Sequence, residues 1–204
     1  MYVFANILNP INTGSGLAEK IFIAPVSWFT KTGIKSPGDW ITKGDEVVIK
    51  DTHEFLPGKA FFECLLAPEK NNYDAKNTGD TGFTRFDNEI KVMLPGSYEL
   101  QHEMIKNILN EPCIVLIKDS NCAANIWYQV GNACTYAYLS ADFETGTTRE
   151  GTKDYLLTIR NSAGYILLYA GDIDTIDEVT INPIVTEDNF NFITEDDQVI
   201  INEN

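Results

Sequence analysis

Ser97-Tyr98-Glu99-Leu100-Gln101-His102-Glu103-Met104-Ile105-Lys106-Asn107-Ile108-Leu109-Asn110, followed after Glu111 by Pro112-Cys113-Ile114-Val115-Leu116-Ile117-Lys118, decides the fold. In the first half, Leu100, Met104, Ile105, Ile108 and Leu109 recur at the three- and four-residue offsets that place apolar side chains along one helical face. Pro95-Gly96 ends whatever precedes it, Ser97 offers a hydroxyl to the first free amides, Glu99 and Glu103 suit the positive end of the dipole, and Pro112 stops the helix. The expectation is an amphipathic helix over 97–110 with one face to bury.

The segments beyond it are β-prone: 113–118, 126–130, 133–142, 155–160 and 165–170, separated by Asp119-Ser120-Asn121, Gly131-Asn132, Gly146 to Gly151 and Asn161 to Gly164. Those separators carry turn chemistry at hairpin spacing. A helix against an antiparallel sheet follows. The fold class expected is mainly β (α+β), an antiparallel β-sandwich or small β-barrel with one flanking amphipathic helix and extended terminal arms.

Upstream, Phe83 to Leu94 is a long strand in which Ile90, Val92 and Leu94 alternate with Glu89, Lys91 and Met93, so one face is buried and the other wetter. Pro68 to Gly82 contains three Asn, three acidic residues and two Gly, and its composition is that of a long exposed loop. Glu46 to Asp51 and Lys59 to Ala67, joined through Phe55-Leu56-Pro57-Gly58, suggest a hairpin. Ile21 to Pro25 is a short strand ended by proline, and residues 1 to 20 have the mixed composition of an irregular arm. Trp28, Phe29 and Trp40 surround a Gly/Pro loop and suggest a satellite core, with a contact surface as the alternative. The chain thus divides into an amino-terminal arm with an aromatic segment (1–44), a β domain (45–171) and a carboxy-terminal extension (172–204). In that extension Glu178 to Ile181 and Gln198 to Ile201 are β-prone and need cover from the body or from a neighbouring subunit.

The 204 residues carry a formal net charge of −15, unevenly placed. Residues 171 to 204 hold ten acidic residues and no Lys or Arg, leaving −5 for the rest. Such a surface repels phosphate backbones and anionic lipids, so gripping nucleic acid or a membrane would need a basic patch that the sequence lacks. No stretch approaches the roughly 20 apolar residues of a membrane span, and Met1 to Pro10 has neither the basic start nor the apolar run of a signal peptide. Synthesis in the cytoplasm with reduced thiols is expected. Cys64, Cys113, Cys122 and Cys134 include no close pair of the zinc or redox kind. Cys64 and Cys113 belong to apolar strands, whereas Cys122 falls in a loop and is the one expected to react.

Residue types that carry chemistry do not converge. His53 and His102, the only histidines, lack a partner at ligand spacing and are expected at the surface or on a helix flank. Asp172-Ile173-Asp174-Thr175-Ile176-Asp177-Glu178 is dense in carboxylates but lacks the glycine and cadence of a calcium loop, which leaves a solvated acidic turn. Asp142 and Glu144 share a strand face without a general acid opposite. The glycines at 146 and 151 suit a hairpin better than a phosphate loop. No catalytic, cofactor-binding or metal-binding residue is assigned, and an enzyme using a dispersed carboxylate or Cys122 ranks last among the function classes.

The order of a strand, Pro95-Gly96, an acidic helix, Glu111-Pro112, Ile114-Val115-Leu116-Ile117-Lys118-Asp119, Trp127-Tyr128-Gln129-Val130-Gly131, Phe143-Glu144-Thr145-Gly146-Thr147 and Gly151-Thr152-Lys153 resembles tail-tube-like structural proteins of tailed bacteriophages. In look it is nearest to those of phages of gut Bacteroidetes, including the crAss-like group. The resemblance spans about residues 45 to 171 and rests on architecture and short runs. It implies a non-enzymatic virion subunit in a tail tube, a neck or a ring, self-assembled through its sheets, with loop 68–82 and the acidic tail reaching neighbouring subunits or virion proteins. An acidic lumen would suit DNA passage without specific binding. The competing class is a β-sandwich binding module for a glycan or a protein, in which Trp28, Trp40 and Trp127 offer stacking surfaces.

Overall fold

The computed structural model describes residues 16–38, 46–68, 70–120, 126–146, 153–176 and two short strands at 192–193 and 199–200. It is a mainly β, sandwich-like α+β fold: one mixed sheet of ten strands, not closed, with a single helix among the described residues. The strands in chain order are β1 (Leu17–Pro25), β2 (Val48–Ile49), β3 (Phe62–Leu65), β4 (Asn72–Thr78), β5 (Arg85–Pro95), β6 (Pro112–Asp119), β7 (Trp127–Val130), β8 (Ala137–Glu144), β9 (Asp154–Ala163) and β10 (Leu167–Tyr169), with helix α1 (Glu99–Ile108) between β5 and β6. A separate antiparallel pair joins β11 (Phe192–Ile193) to β12 (Val199–Ile200).

Strand β6 is the hub. One of its edges carries β1, with Phe22 opposite Leu116 and Ile23 opposite Val115. The other edge is shared: β8 takes its start at Pro112 and Cys113, and β7 takes Val115 to Ile117. The sheet therefore forks, one wing running β7-β10-β2 and the other β8-β9-β5-β4. Gly131 lies at the fork with φ +96°, and a Cβ there would fall 2.7 Å from the Cys113 carbonyl oxygen. Only glycine combines that backbone with that approach.

Two-sided burial explains the unbroken apolar runs. Ile114 and Leu116 face one interior with Phe22, Ala24, Phe29, Phe61, Trp127 and Tyr169; Cys113, Val115 and Ile117 face the other with Ile21, Ile23, Ile90, Val92, Leu157 and Ile159. A strand buried on both faces has no reason to alternate. On β5, by contrast, Ile90, Val92 and Leu94 are buried while Glu89, Lys91 and Met93 are half-exposed, matching the expected alternation. The wings curl toward one another: the Ala67 amide donates to the Met93 carbonyl at 2.8 Å, tying the end of β3 to β5, and the Tyr73 and Tyr128 rings are 5.4 Å apart.

Helix α1 closes one end of the aliphatic interior with a narrower stripe than its sequence suggests. Ile105 and Ile108 are buried and Met104 partly so, whereas Leu100 is 60% and Leu109 38% exposed. Ser97 does not cap it. Tyr98 occupies the cap position, and the Gln101 side chain accepts the Tyr98 amide at 3.2 Å while donating to the Pro95 carbonyl at 2.9 Å. Asn110, at φ 61°, turns the chain out of the helix before β6 begins at Pro112.

Three local expectations are corrected. The 46–67 segment is not a hairpin: β2 pairs parallel with β10, and β3 pairs with β1, because the intervening residues take His53 and Phe61 into the aromatic interior. Residues 68–82 are not a long loop, since β4 within them forms a seven-residue antiparallel ladder with β5. Its period-two signal is thin, with Tyr73 and Ala75 inward against Asn72, Asp74 and Lys76 outward, because an edge strand carries charge on its wet side. Third, the parallel β2–β10 pair makes the sheet mixed where an antiparallel one was expected. Within the amino-terminal segment assigned to an arm, β1 contributes Ile21 to Ala24 to both interiors. The acidic extension begins by pairing with the body, Thr175 bridging Phe61; the β-prone Glu178 to Ile181 lies outside the described residues.

Candidate functional site

The open face of β4, β5, β9 and β8 brings more polar side chains together than any sequence motif suggested. Cross-strand register aligns Asp74, Glu89, Arg160 and Tyr138 in one row, and Lys76, Asp87 and Ser162 in the next. The Arg160 guanidinium donates twice to Glu89 Oε1, at 2.7 and 2.9 Å, and Lys91 Nζ lies 3.0 Å from Glu89 Oε2. Lys91, then Arg160, holds the Glu89 carboxyl below its ordinary range. Asp87 accepts from Ser162 Oγ at 2.7 Å and Thr78 Oγ1 at 2.8 Å, and those hydrogen bonds, Ser162 first, lower its carboxyl likewise. Asp74, Lys76, Asp87, Glu89, Arg160 and Ser162 line a groove of about 550 Å³ with Tyr138, which is 52% exposed. The groove's outer wall is β4, whose only strand partner among the described residues is β5. A charged, aromatic-edged face ending in a strand with no second partner among the described residues suits protein contact more than small-molecule chemistry.

His53, expected at the surface, is instead 2% exposed. Its ring stacks on Tyr169 at 4.7 Å, with Phe29 and Phe61 near 6 Å. Nδ1 accepts the Lys35 amide at 3.0 Å, so the proton resides on Nε2 and is donated to Gln129 Oε1 at 2.9 Å. Burial pushes the imidazole below its ordinary value, and the neutral ring acts as a clamp joining three segments of chain. The Gln129 amide passes on to the Gly131 carbonyl at 2.9 Å, coupling this clamp to the fork.

His102 lies on the helix flank as expected. Its Nδ1 is hydrogen-bonded to the Tyr155 hydroxyl, its Nε2 is 3.2 Å from Ser97 Oγ, and Phe143 packs edge-on at 5.4 Å. The chain of Ser97, His102 and Tyr155 ties the helix start to β9; the sequence separation of 53 residues between His102 and Tyr155 hid it.

The other candidates separate. Trp127 is buried against Phe22, ring centroids 5.0 Å apart, and offers no stacking face. Trp28 is half-buried, with Lys59 Nζ 4.9 Å over its ring. Trp40 and Cys122 lie outside the described residues. Cys64 and Cys113 are buried, and burial pushes both thiols up to about 12. Asp142 and Glu144 lie opposite Leu156 and Asp154 on β9. Asp172 and Asp174 act through their backbones, Asp172 taking the Tyr169 hydroxyl on its carbonyl at 2.6 Å and Asp174 taking the Phe61 amide at 3.0 Å. Among the described residues no three metal-ligating side chains converge, and no helix is long and apolar enough to cross a membrane. No family model matches the chain, and neither the curated proteins nor the solved structures yielded a match.

Proposed function

We propose that this chain is a structural subunit of a tailed-bacteriophage virion that self-assembles, through its sheet, into a ring or tube of the tail or neck. The observation that carries the reading is β4: a seven-residue strand that, among the described residues, is paired on one side only and is flanked by the charged groove face. An unpaired edge presents amides and carbonyls to a second chain, and the alternating charges of Asp74, Lys76, Asp87, Glu89 and Arg160 favour a partner with one register. Virion location, contacts with neighbouring virion proteins and passage of DNA through an acidic lumen belong to the same proposal, which draws also on the resemblance over 45–171.

The test is the mass in solution by light scattering over a concentration series, with negative-stain imaging of the largest species. Masses rising to a discrete multiple of 22.8 kDa and images of closed rings are expected. A monomer at every concentration overturns the reading.

A further inference from the structure

We propose that Ser97, His102 and Tyr155 form an acyl-transfer site at the start of α1, with Ser97 as nucleophile and His102 as its base, acting on neutral esters of carboxylic acids. The three side chains stand in the order this chemistry needs. His102 Nε2 is 3.2 Å from Ser97 Oγ, and Nδ1, across the ring, is hydrogen-bonded to the Tyr155 hydroxyl. A nucleophile within reach of a base that a third group orients is the recurring arrangement of serine acyl transfer. A phenol can give or take the proton of its bond to Nδ1. The tautomer with Nδ1–H directed at Tyr155 leaves the Nε2 lone pair facing the Ser97 hydroxyl, and that form activates the serine.

The surroundings hold this geometry. Tyr155 is 7% exposed on β9, opposite Leu94 on one side and Phe143 on the other, so its hydroxyl is a fixed post. The backbone on either side of Ser97 is held as well: the Gly96 amide donates to the Lys153 carbonyl at 2.8 Å, and the Gln101 side chain bridges the Pro95 carbonyl and the Tyr98 amide. Anchoring the helix to β9 needs only the bond to Tyr155. The second ring nitrogen is turned instead to a half-buried serine, on an exposed histidine, where a substrate can reach both atoms.

The reaction balances with water as its only co-reactant. Ser97 Oγ bonds to the ester carbonyl carbon while its proton passes to Nε2; the bond from that carbon to the leaving oxygen breaks, and the alcohol departs with the proton from Nε2. Water then attacks the acyl-serine and gives one proton to Nε2, and Ser97 Oγ leaves with that proton as the acid is released. The Glu99 and Leu100 amides precede the first bond of the helical ladder, His102 to Tyr98, and at the positive end of α1 they are the nearest donors along the chain for the oxyanion. Tyr98 and Phe143, 70% and 40% exposed, offer rings to an apolar acyl or aryl group, whereas Glu99 and Glu103 disfavour an anionic one.

Two probes on the full chain decide it, and neither depends on assembly. Phenylmethanesulfonyl fluoride, a neutral aryl reagent for activated serines, should modify Ser97 in the folded chain and not in urea, as located by peptide mass mapping. Ser97→Ala should carry no adduct there and should hydrolyse p-nitrophenyl acetate more slowly. His102→Ala should slow labelling of Ser97 on the order of a hundredfold, with added imidazole restoring part of the rate, a rescue that a merely structural histidine would not show. Tyr155 is a positioning residue: Tyr155→Phe should lower the rate at saturating probe while leaving the half-saturating concentration unchanged. An unlabelled Ser97 in the folded wild-type chain overturns the proposal. So does labelling of Ser97 at the same rate in His102→Ala, or a loss there that imidazole does not relieve.

Discussion

Ile114, Val115, Leu116 and Ile117 are consecutive, yet they serve two interiors of different character. The one receiving Val115 and Ile117 is aliphatic and assembled mostly from β5, β9, β8 and the helix; the one receiving Ile114 and Leu116 is aromatic and gathers Phe22, Phe29, Phe61 and Tyr169 around a buried histidine. The aliphatic side is held by shape alone over most of its area. The aromatic side is additionally pinned by directional bonds, His53 to Gln129 and Tyr169 to Asp172. Apolar burial tolerates some repacking, whereas a buried polar pair fails when either member is lost. The two faces of one strand should therefore respond differently to the same kind of damage.

The largest effect is expected from truncating β6 itself. Ile117→Ala and Leu116→Ala open cavities on opposite faces at positions 1% and 0% exposed, and each should cost about 2–5 kcal/mol in urea unfolding. Because β6 is common to both interiors, either variant should shift a single transition with unchanged slope. A second, earlier transition in only one of them would mean that the interiors melt separately. Thiol labelling in a Cys122→Ser background gives an independent reading of the same unit: Cys134 is exposed and should react at once, while Cys64 and Cys113 should wait for global unfolding.

Next in size is the histidine clamp. His53→Ala leaves the Lys35 amide and the Gln129 side chain without their partner inside a buried site, and a loss of about 2–4 kcal/mol is expected. The pH dependence identifies the cause. Unfolded His53 binds a proton near its ordinary 6.5, and the folded, desolvated ring resists it. Stability is then complete above pH 6.5 and falls as the pH drops from there through the lowered folded value. His53→Gln should abolish that segment of the pH profile. A profile unchanged by the substitution would place the acid sensitivity elsewhere.

How much of this was legible in the sequence follows the same division. The strand alternation of β5 and the apolar runs of β1 and β6 announce apolar faces that need cover, although the pairings that build the aliphatic interior from them, β5 with β9 and β1 with β6, are long-range. The aromatic interior brings residues 22–29, 53–61, 114–127 and 167–173 together, and nothing in Asp51-Thr52-His53-Glu54 marks a buried ring. Tertiary packing overrode local polarity there, as it did when the polar Asn72–Thr78 became a strand by pairing with β5. The groove face was unreadable for a different reason: its rows exist only once β4, β5, β9 and β8 are in register.

A smaller loss is expected at Asn161, the polar layer at the rim of the aliphatic side. Its side-chain amide donates to the carbonyls of Thr135 and Tyr136 at 2.9 and 3.0 Å, and its oxygen accepts from Asn88 at 3.3 Å. Asn161→Ala should cost about 1–3 kcal/mol, less than the His53 variant because water can reach this rim more easily. A loss as large as that of Leu116→Ala would show that the rim carries the join between β8 and β9.

The least expensive change should be on the open face. Arg160 and Glu89 are joined by two short bonds, but the arginine side chain is 66% exposed and its charge is screened by solvent. Arg160→Ala should therefore leave the unfolding midpoint almost where it was at neutral pH. Its signature lies in acid. Lys91 first and Arg160 second depress the Glu89 carboxyl, so the stability they confer is present above about pH 4.5 and lost as the pH falls through the depressed value. Removing Arg160 should flatten part of that acid limb while leaving the His53 limb near pH 6.5 intact, and added salt should flatten it further. If the same variant also weakens a concentration-dependent increase in mass, the pair acts between chains more than within one, which is what a charge row beside a free strand edge is suited to do.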